Sequence, residues 1–334
     1  MKDVFLYSLR AVLPILLLML LGALVRRTGR WSGPFFSQLN SLCFHTFLPV
    51  QLFLNVSGLE SLAAVNWRLV GYLVAGILLS LAVGALAARL FVPDPRQKGV
   101  IAMTAFRSNQ VILGLPLAEA LGGSAAMGFA SVSTSFCVPV FNILSVLTLT
   151  AYHGKDGDGR RSVGSVARQT LHNPLIVGAA LGFLMLALRH VLPAGEGTFS
   201  LGSALPSVYQ ALKDMAGIAS PLMLFVLGAQ LDLRATKALL PQLSLGIFLR
   251  LVLMPGLLIG GALCLWDTLA LTPAELPTLL AVFASPCAVS STVMVQEIGG
   301  DEQLAGQMVM WSSVLSMASL FVFSFVLKGL GLLA

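Results

Sequence analysis

Polar residues never gather in this chain for long enough to make a water-facing surface. Long apolar windows follow one another, separated only by short charged knots. Ten windows run at about 4–26, 33–56, 66–91, 98–121, 124–152, 170–192, 203–231, 237–265, 274–299 and 302–328. Roughly 20 mostly apolar residues are what an α-helix needs to cross a bilayer. Only 10% of the 334 residues are charged, where an average soluble domain has roughly 25%. In hydrocarbon every backbone N–H and C=O must be satisfied internally, and at this window length only helices do so. The expected fold class is an all-α polytopic membrane protein with ten transmembrane helices.

The longest polar break, residues 153–169 (HGKDGDGRRSVGSVARQ), reads as a loop rather than a folded module. It divides the chain into a first repeat at 1–152 and a second at 170–334. The first window has Lys2 and Arg10 ahead of its apolar run. Arg26, Arg27 and Arg30 follow where a signal peptide would need small residues, so a retained helix is expected.

Cys43, Cys137, Cys264 and Cys287 lie inside apolar windows without C-x-x-C spacing. Neither a metal site nor a redox pair is expected, and no cofactor. The net charge of +6 would suggest nucleic acid in a soluble protein. Here the basic residues flank the windows, so no nucleic-acid partner is expected and the asymmetry reads as orientation. Twelve Lys and Arg fall on one side, six on the other, and Arg107 and Arg250 within windows. The basic side is the cytoplasmic one, which puts both termini outside and the 153–169 loop inside.

Five windows on each side of the loop is an odd number, so the second half crosses in the opposite sense. That is an inverted-topology repeat. Pro14 and Gly22 recur 160 positions later as Pro174 and Gly182. Pro49, Phe53 and Glu60 recur 172 later as Pro221, Phe225 and Asp232, and Gly122-Gly123 recurs 177 later as Gly299-Gly300. The matches fall in order with slowly growing offsets, as duplication requires.

The fourth and ninth windows occupy matching places. The fourth carries Arg107-Ser108-Asn109-Gln110 and then Gly114-Leu115-Pro116. Proline withholds a backbone donor and disfavours helix at the preceding residue, and glycine admits any backbone angle. The ninth is interrupted at Pro286-Cys287, with Ser285 and Ser290 beside it, and Asn109 matches Pro286 at the 177 offset. Paired broken helices are the best sequence pointer to a transport site, because freed backbone groups are tolerated where they line a cavity. Half-helix N-termini there attract anions. Gly114, Pro116 and Pro286 are the expected hinges. Arg107, Ser108, Asn109, Gln110, Pro286, Cys287 and Ser290 are the expected substrate contacts.

A guanidinium at a helix centre must face protein or water. Arg107 has two readings, a clamp on a carboxylate or a brace for carbonyls freed by the break. Arg250, in GIFLRLVLMPG, reads as a brace or a snorkelling side chain. His45 and Gln51 border Pro49 and are further cavity candidates. Ser131, Ser133, Thr134 and Ser135 resemble helix-packing glue. No window centre holds an acidic residue of the proton-relay kind, and no H-E-x-x-H or G-x-S-x-G marks an enzyme.

Asn109-Gln110-Val111-Ile112-Leu113-Gly114-Leu115-Pro116-Leu117 resembles the crossover motif of the auxin efflux carrier family. The stretch from Pro286 to Gly300, followed by Trp311-Ser312-Ser313, resembles its second crossover. The chain lacks the long central hydrophilic loop of the plant carriers and resembles the compact, malonate-transporter-like bacterial branch. The resemblance implies crossed fourth and ninth helices, and a scaffold of helices 1, 2, 6 and 7. It also implies a mobile unit of helices 3–5 and 8–10, elevator-like movement and a homodimer. Asn109 matches the asparagine that meets the substrate carboxylate. The expected function is secondary transport of a small organic anion, a carboxylate or dicarboxylate, across the bacterial cytoplasmic membrane. A sodium-coupled bile-acid-type symporter or an anion channel is the alternative.

Overall fold

Proline, glycine and small polar residues punctuate the apolar windows, and the helices bend or stop where they stand. A computed structural model describes residues 2–57, 66–152, 174–189, 201–230 and 235–333. The 153–169 loop, and with it Glu60 and Asp232 of the internal echoes, lies outside the described residues. Helices fill each of the ten apolar windows, and among the described residues there is no β-strand.

Helix α1 spans Lys2–Arg27. The second window is divided: α2 (Gly33–Leu42) and α3 (Leu48–Ser57) meet through a π-helical turn at Cys43–Phe47. Helix α4 covers Trp67–Phe91, started by Asn66, whose side chain accepts from the Leu69 N–H. Helix α5 (Pro95–Phe106) ends at Arg107, a π turn covers Gln110–Gly114, and α6 runs over Leu115–Tyr152. Gly123 (φ 69°, ψ −164°) interrupts α6, a conformation only glycine adopts cheaply.

Helix α7 is Pro174–Arg189 and α8 is Pro206–Gln230. Helices α9 (Leu240–Phe248) and α10 (Met254–Cys264) continue through a π turn at Leu249–Leu253. The ninth window holds α11 (Leu276–Leu279), a π turn at Leu280–Ala284, a break, and α12 (Ser290–Ile298). Helix α13 spans Glu302–Gly329 and is capped by Asp301 on the Leu304 N–H. The turn into it uses Gly299 and Gly300 at φ 125° and 139°. Gly300 is the 177-offset match of Gly123, so both halves leave their broken helix through a positive-φ glycine.

Five helical stretches are long and apolar enough to cross a membrane by themselves. They are Trp67–Phe91, Ala125–Tyr152, Pro206–Gln230, Leu240–Cys264 and Glu302–Gly329. Their outer faces are apolar: Leu86, Leu90 and Phe91 of α4 and Val322 and Phe325 of α13 are all more than half exposed. Such faces suit hydrocarbon and would be costly in water.

Helices approach most closely where glycine removes the side chain. The backbone at Gly22 of α1 lies against Phe225 of α8, and Gly228 of α8 lies against Met19 of α1. Gly178 of α7 lies against Pro49 of α3. The first helix of each half thus packs on the second helix of the other. At one end, Arg96 donates to the Gly300 carbonyl at 3.1 Å and Gln97 donates to Asp301 at 2.9 Å. The halves are interleaved rather than laid side by side.

Candidate functional site

The two broken windows cross, and each repairs the other. After α5 the chain is extended at Arg107 (ψ 108°), and after Ala284 it is extended at Ser285 (ψ 151°). Ser108 and Cys287 form an isolated antiparallel bridge. The Asn109 N–H donates to the Pro286 carbonyl at 2.9 Å, and the Ala288 N–H to the Arg107 carbonyl at 3.4 Å. The Cys287 N–H finds the Ser312 hydroxyl at 3.0 Å. Unwound backbone would otherwise leave several buried polar groups without partners, each costing about 1–3 kcal/mol. Gly114 permits the crossing, since a Cβ there would lie 2.7 Å from the Ala281 carbonyl oxygen.

A cavity of about 70 Å³ opens beside the crossing. Roughly 10–15 Å³ on this measure holds one water, so the space takes several waters or a small organic ion. Arg107, Ser108 and Asn109 line it from the first break and Ala288, Val289 and Ser290 from the second. Helix α6 contributes Val138, Phe141 and Asn142, while Leu48, Gln51 and Leu52 of α3, Leu175 of α7 and Met223 of α8 close the far side.

Arg107 is 3% exposed and its guanidinium reaches only neutral oxygens. Nη1 donates to Ser145 Oγ (2.8 Å) and the Phe141 carbonyl (3.2 Å). Nη2 donates to Asn142 Oδ1 (2.8 Å) and Ser290 Oγ (2.7 Å). Among the described residues Nε has no partner, and neither does Asn109 Nδ2. Both unused donors belong to residues on the cavity wall. The half-helices that begin near Gln110 and at Ser290 start next to them, and helix N-termini carry partial positive charge. The wall is therefore electropositive, rich in donors and, among the described residues, without a hydrogen-bonded carboxylate. Chemically, such a wall can hold an anion.

Of the residues expected from sequence, Arg107, Ser108, Asn109 and Ser290 meet on this wall. Gln110, Pro286 and Cys287 stand behind it: Gln110 is fully buried, and Pro286 and Cys287 hold the first break in place. Gly114 lies at the closest approach of the crossing, and Pro116 at the second position of α6. Gln51 lines the cavity, whereas the His45 ring is engaged with Ser41 of its own helix.

Two contributors escaped the sequence reading. Asn142 and Ser145, both on Arg107, lie one turn apart on α6; a polar i, i+3 pair in an apolar helix is the signal that marks them. Arg250, read from sequence as a brace or a snorkelling side chain, makes four donations that all go to carbonyls of the two breaks. Arg107, by contrast, takes a single carbonyl, from intact helix α6. These contacts match the brace reading of Arg250 rather than the snorkelling one.

A family model described as membrane transport protein matches residues 7–324 of the chain. No curated protein matches it.

Proposed function

The chain belongs to that membrane transport family, the auxin efflux carrier family, and on that premise we propose that it is a secondary transporter of a small organic anion. As a family member it is a multi-pass membrane transporter. One observation above all supports the substrate class: a buried guanidinium, with no acidic partner among the described residues, lines a cavity with Asn109, where two half-helices begin. A carboxylate in the cavity supplies the missing charge beside Arg107 and Asn109, whose unused Nε and Nδ2 are themselves buried in the wall. The cavity volume favours a compact mono- or dicarboxylate, malonate-like in size.

In this reading the chain crosses the bilayer ten times, as two inverted five-helix repeats with helices 4 and 9 broken and crossed. The reciprocal glycine contacts of α1 with α8 and α7 with α3, and the matched glycines 123 and 300, support the duplication. The cavity lies between α3, α7 and α8 on one side and the crossing with α6 on the other. That placement suits an elevator-like movement of the second group against the first. The working form is a homodimer in a bacterial cytoplasmic membrane, with both termini outside.

The test is thermal unfolding of the purified protein against mono- and dicarboxylates. A ligand at 100 times its Kd stabilises by about 2.7 kcal/mol, which is of order 5 °C in Tm for a protein of this size. Asn109→Ala abolishes the shift while the folded protein survives. If no carboxylate raises Tm, or if Asn109→Ala responds as the parent does, the assignment fails.

A further inference from the structure

Arg250 sits behind the crossing, away from the cavity, and is 1% exposed. Its Nε donates to the Ser285 carbonyl at 2.9 Å. Nη1 donates to the carbonyls of Phe106 (3.1 Å) and Ala105 (3.4 Å), and Nη2 to that of Val282 (3.0 Å). Two of these oxygens close α5 and two close the helical turn before the second break. Ala105 and Val282 are matched at the 177 offset. One side chain therefore gathers the freed carbonyls of both half-helix C-termini, the ends that carry partial negative charge. No carboxylate hydrogen-bonds this guanidinium among the described residues; its counter-charge is the pair of helix ends.

Backbone carbonyls at half-helix C-termini are the oxygen set with which discontinuous-helix transporters hold a coupling cation. We propose that Arg250 is a tethered cation that permanently fills such a site, so the crossing is held without sodium and takes no sodium at this place. The inference rests on the transporter reading above. A guanidinium is charged at every physiological pH and presents a planar fork of five donors, enough to serve two helix ends at once. A free ion would give the same charge to the same oxygens, but its occupancy would follow its concentration. A covalently attached one has no such dependence.

The experiment measures Tm of the purified full-length protein with no carboxylate present. Sodium chloride is titrated against choline chloride at constant ionic strength. The parent is expected to unfold at the same temperature in both. Arg250→Ala is expected to unfold several degrees lower, and to regain part of the loss saturably with millimolar methylguanidinium or with sodium, but not with choline. A saturable sodium-specific rise in the parent overturns the proposal. So does an Arg250→Ala protein that responds to neither cation. Where Arg250→Ala does not fold, Arg250→Lys carries the test. It keeps the charge with fewer donors, so a lowered Tm without sodium response is expected, and a sodium response overturns the proposal. Adding the carboxylate afterwards reads the cavity separately. A lost carboxylate shift with intact cation behaviour defeats the substrate assignment alone, and the reverse pattern defeats the tethered cation alone.

Discussion

Replacing Arg107 with Gln separates substrate recognition from architecture more sharply than any other single change. Gln removes the charge and keeps some hydrogen-bonding capacity. Without ligand, two effects oppose. Asn142 Oδ1, Ser290 Oγ and Ser145 Oγ lose their donor, whereas the Phe141 carbonyl keeps Ser145 Oγ at 2.6 Å. A hydrogen bond from a charged donor contributes about 1.5–3 kcal/mol. Against this, the desolvation of a buried charge, several kcal/mol, is relieved. Asn142 and Ser290 sit on the cavity, where water can reach them, and the buried Ser145 Oγ still donates to the Phe141 carbonyl. The two effects nearly offset, and ligand-free stability should move by about 2 kcal/mol or less. Binding behaves differently. Losing one partner of a desolvated charge pair costs about 2–5 kcal/mol, which is roughly 30- to 4,000-fold in Kd. The assay is the carboxylate-dependent rise in Tm, or calorimetric titration, on one preparation of parent and variant. Normal anion affinity with sharply reduced ligand-free stability would refute the reasoning and make Arg107 a brace.

Gly22→Ala places a methyl group against the Phe225 backbone and should destabilise by about 1–3 kcal/mol, seen as a lower Tm. Gly217→Ala, also in a helix but with open space around its Cβ position, should change stability by less than about 1 kcal/mol or raise it, read as Tm. Gly114→Ala sets a Cβ 2.7 Å from the Ala281 carbonyl; it should weaken carboxylate binding as well as stability, because it pries the crossing apart. In a Cys264→Ser background, chosen because Cys264 is the exposed native thiol, Asp158→Cys should resist a membrane-impermeant maleimide in intact cells and Glu196→Cys should react. The opposite labelling pattern reverses the orientation.

The breaks were readable in the chain because their cause is local. Pro286 cannot donate and Gly114 takes any angle, so no neighbour is needed to see that the helix is weak there. Membrane character was readable for a similar reason, since hydrocarbon acts on each window separately. What the breaks do to each other was not readable. The Ser108–Cys287 bridge joins residues far apart in sequence, and only the crossing sets which carbonyl meets which N–H. Arg250 is the clearest case. In GIFLRLVLMPG nothing distinguishes it from a snorkelling arginine, because its partners at 105, 106, 282 and 285 come from two other windows. The division of the second window by a π turn at Cys43–Phe47 was equally hidden. A π turn needs no proline or glycine, only packing that favours one extra residue in the turn.

The mutual repair of the two breaks also has a consequence in time. The Asn109 N–H waits for the Pro286 carbonyl, 177 residues later in the chain. At a synthesis rate of about 5–20 residues per second, the first break is made roughly 9–35 seconds before its partner segment exists. During that interval the open break, with Arg107 and Asn109 on it, has to stay hydrated or shielded by the insertion machinery. A chain cut short before residue 286 would carry that exposed break indefinitely, and it is the form most exposed to quality-control proteolysis.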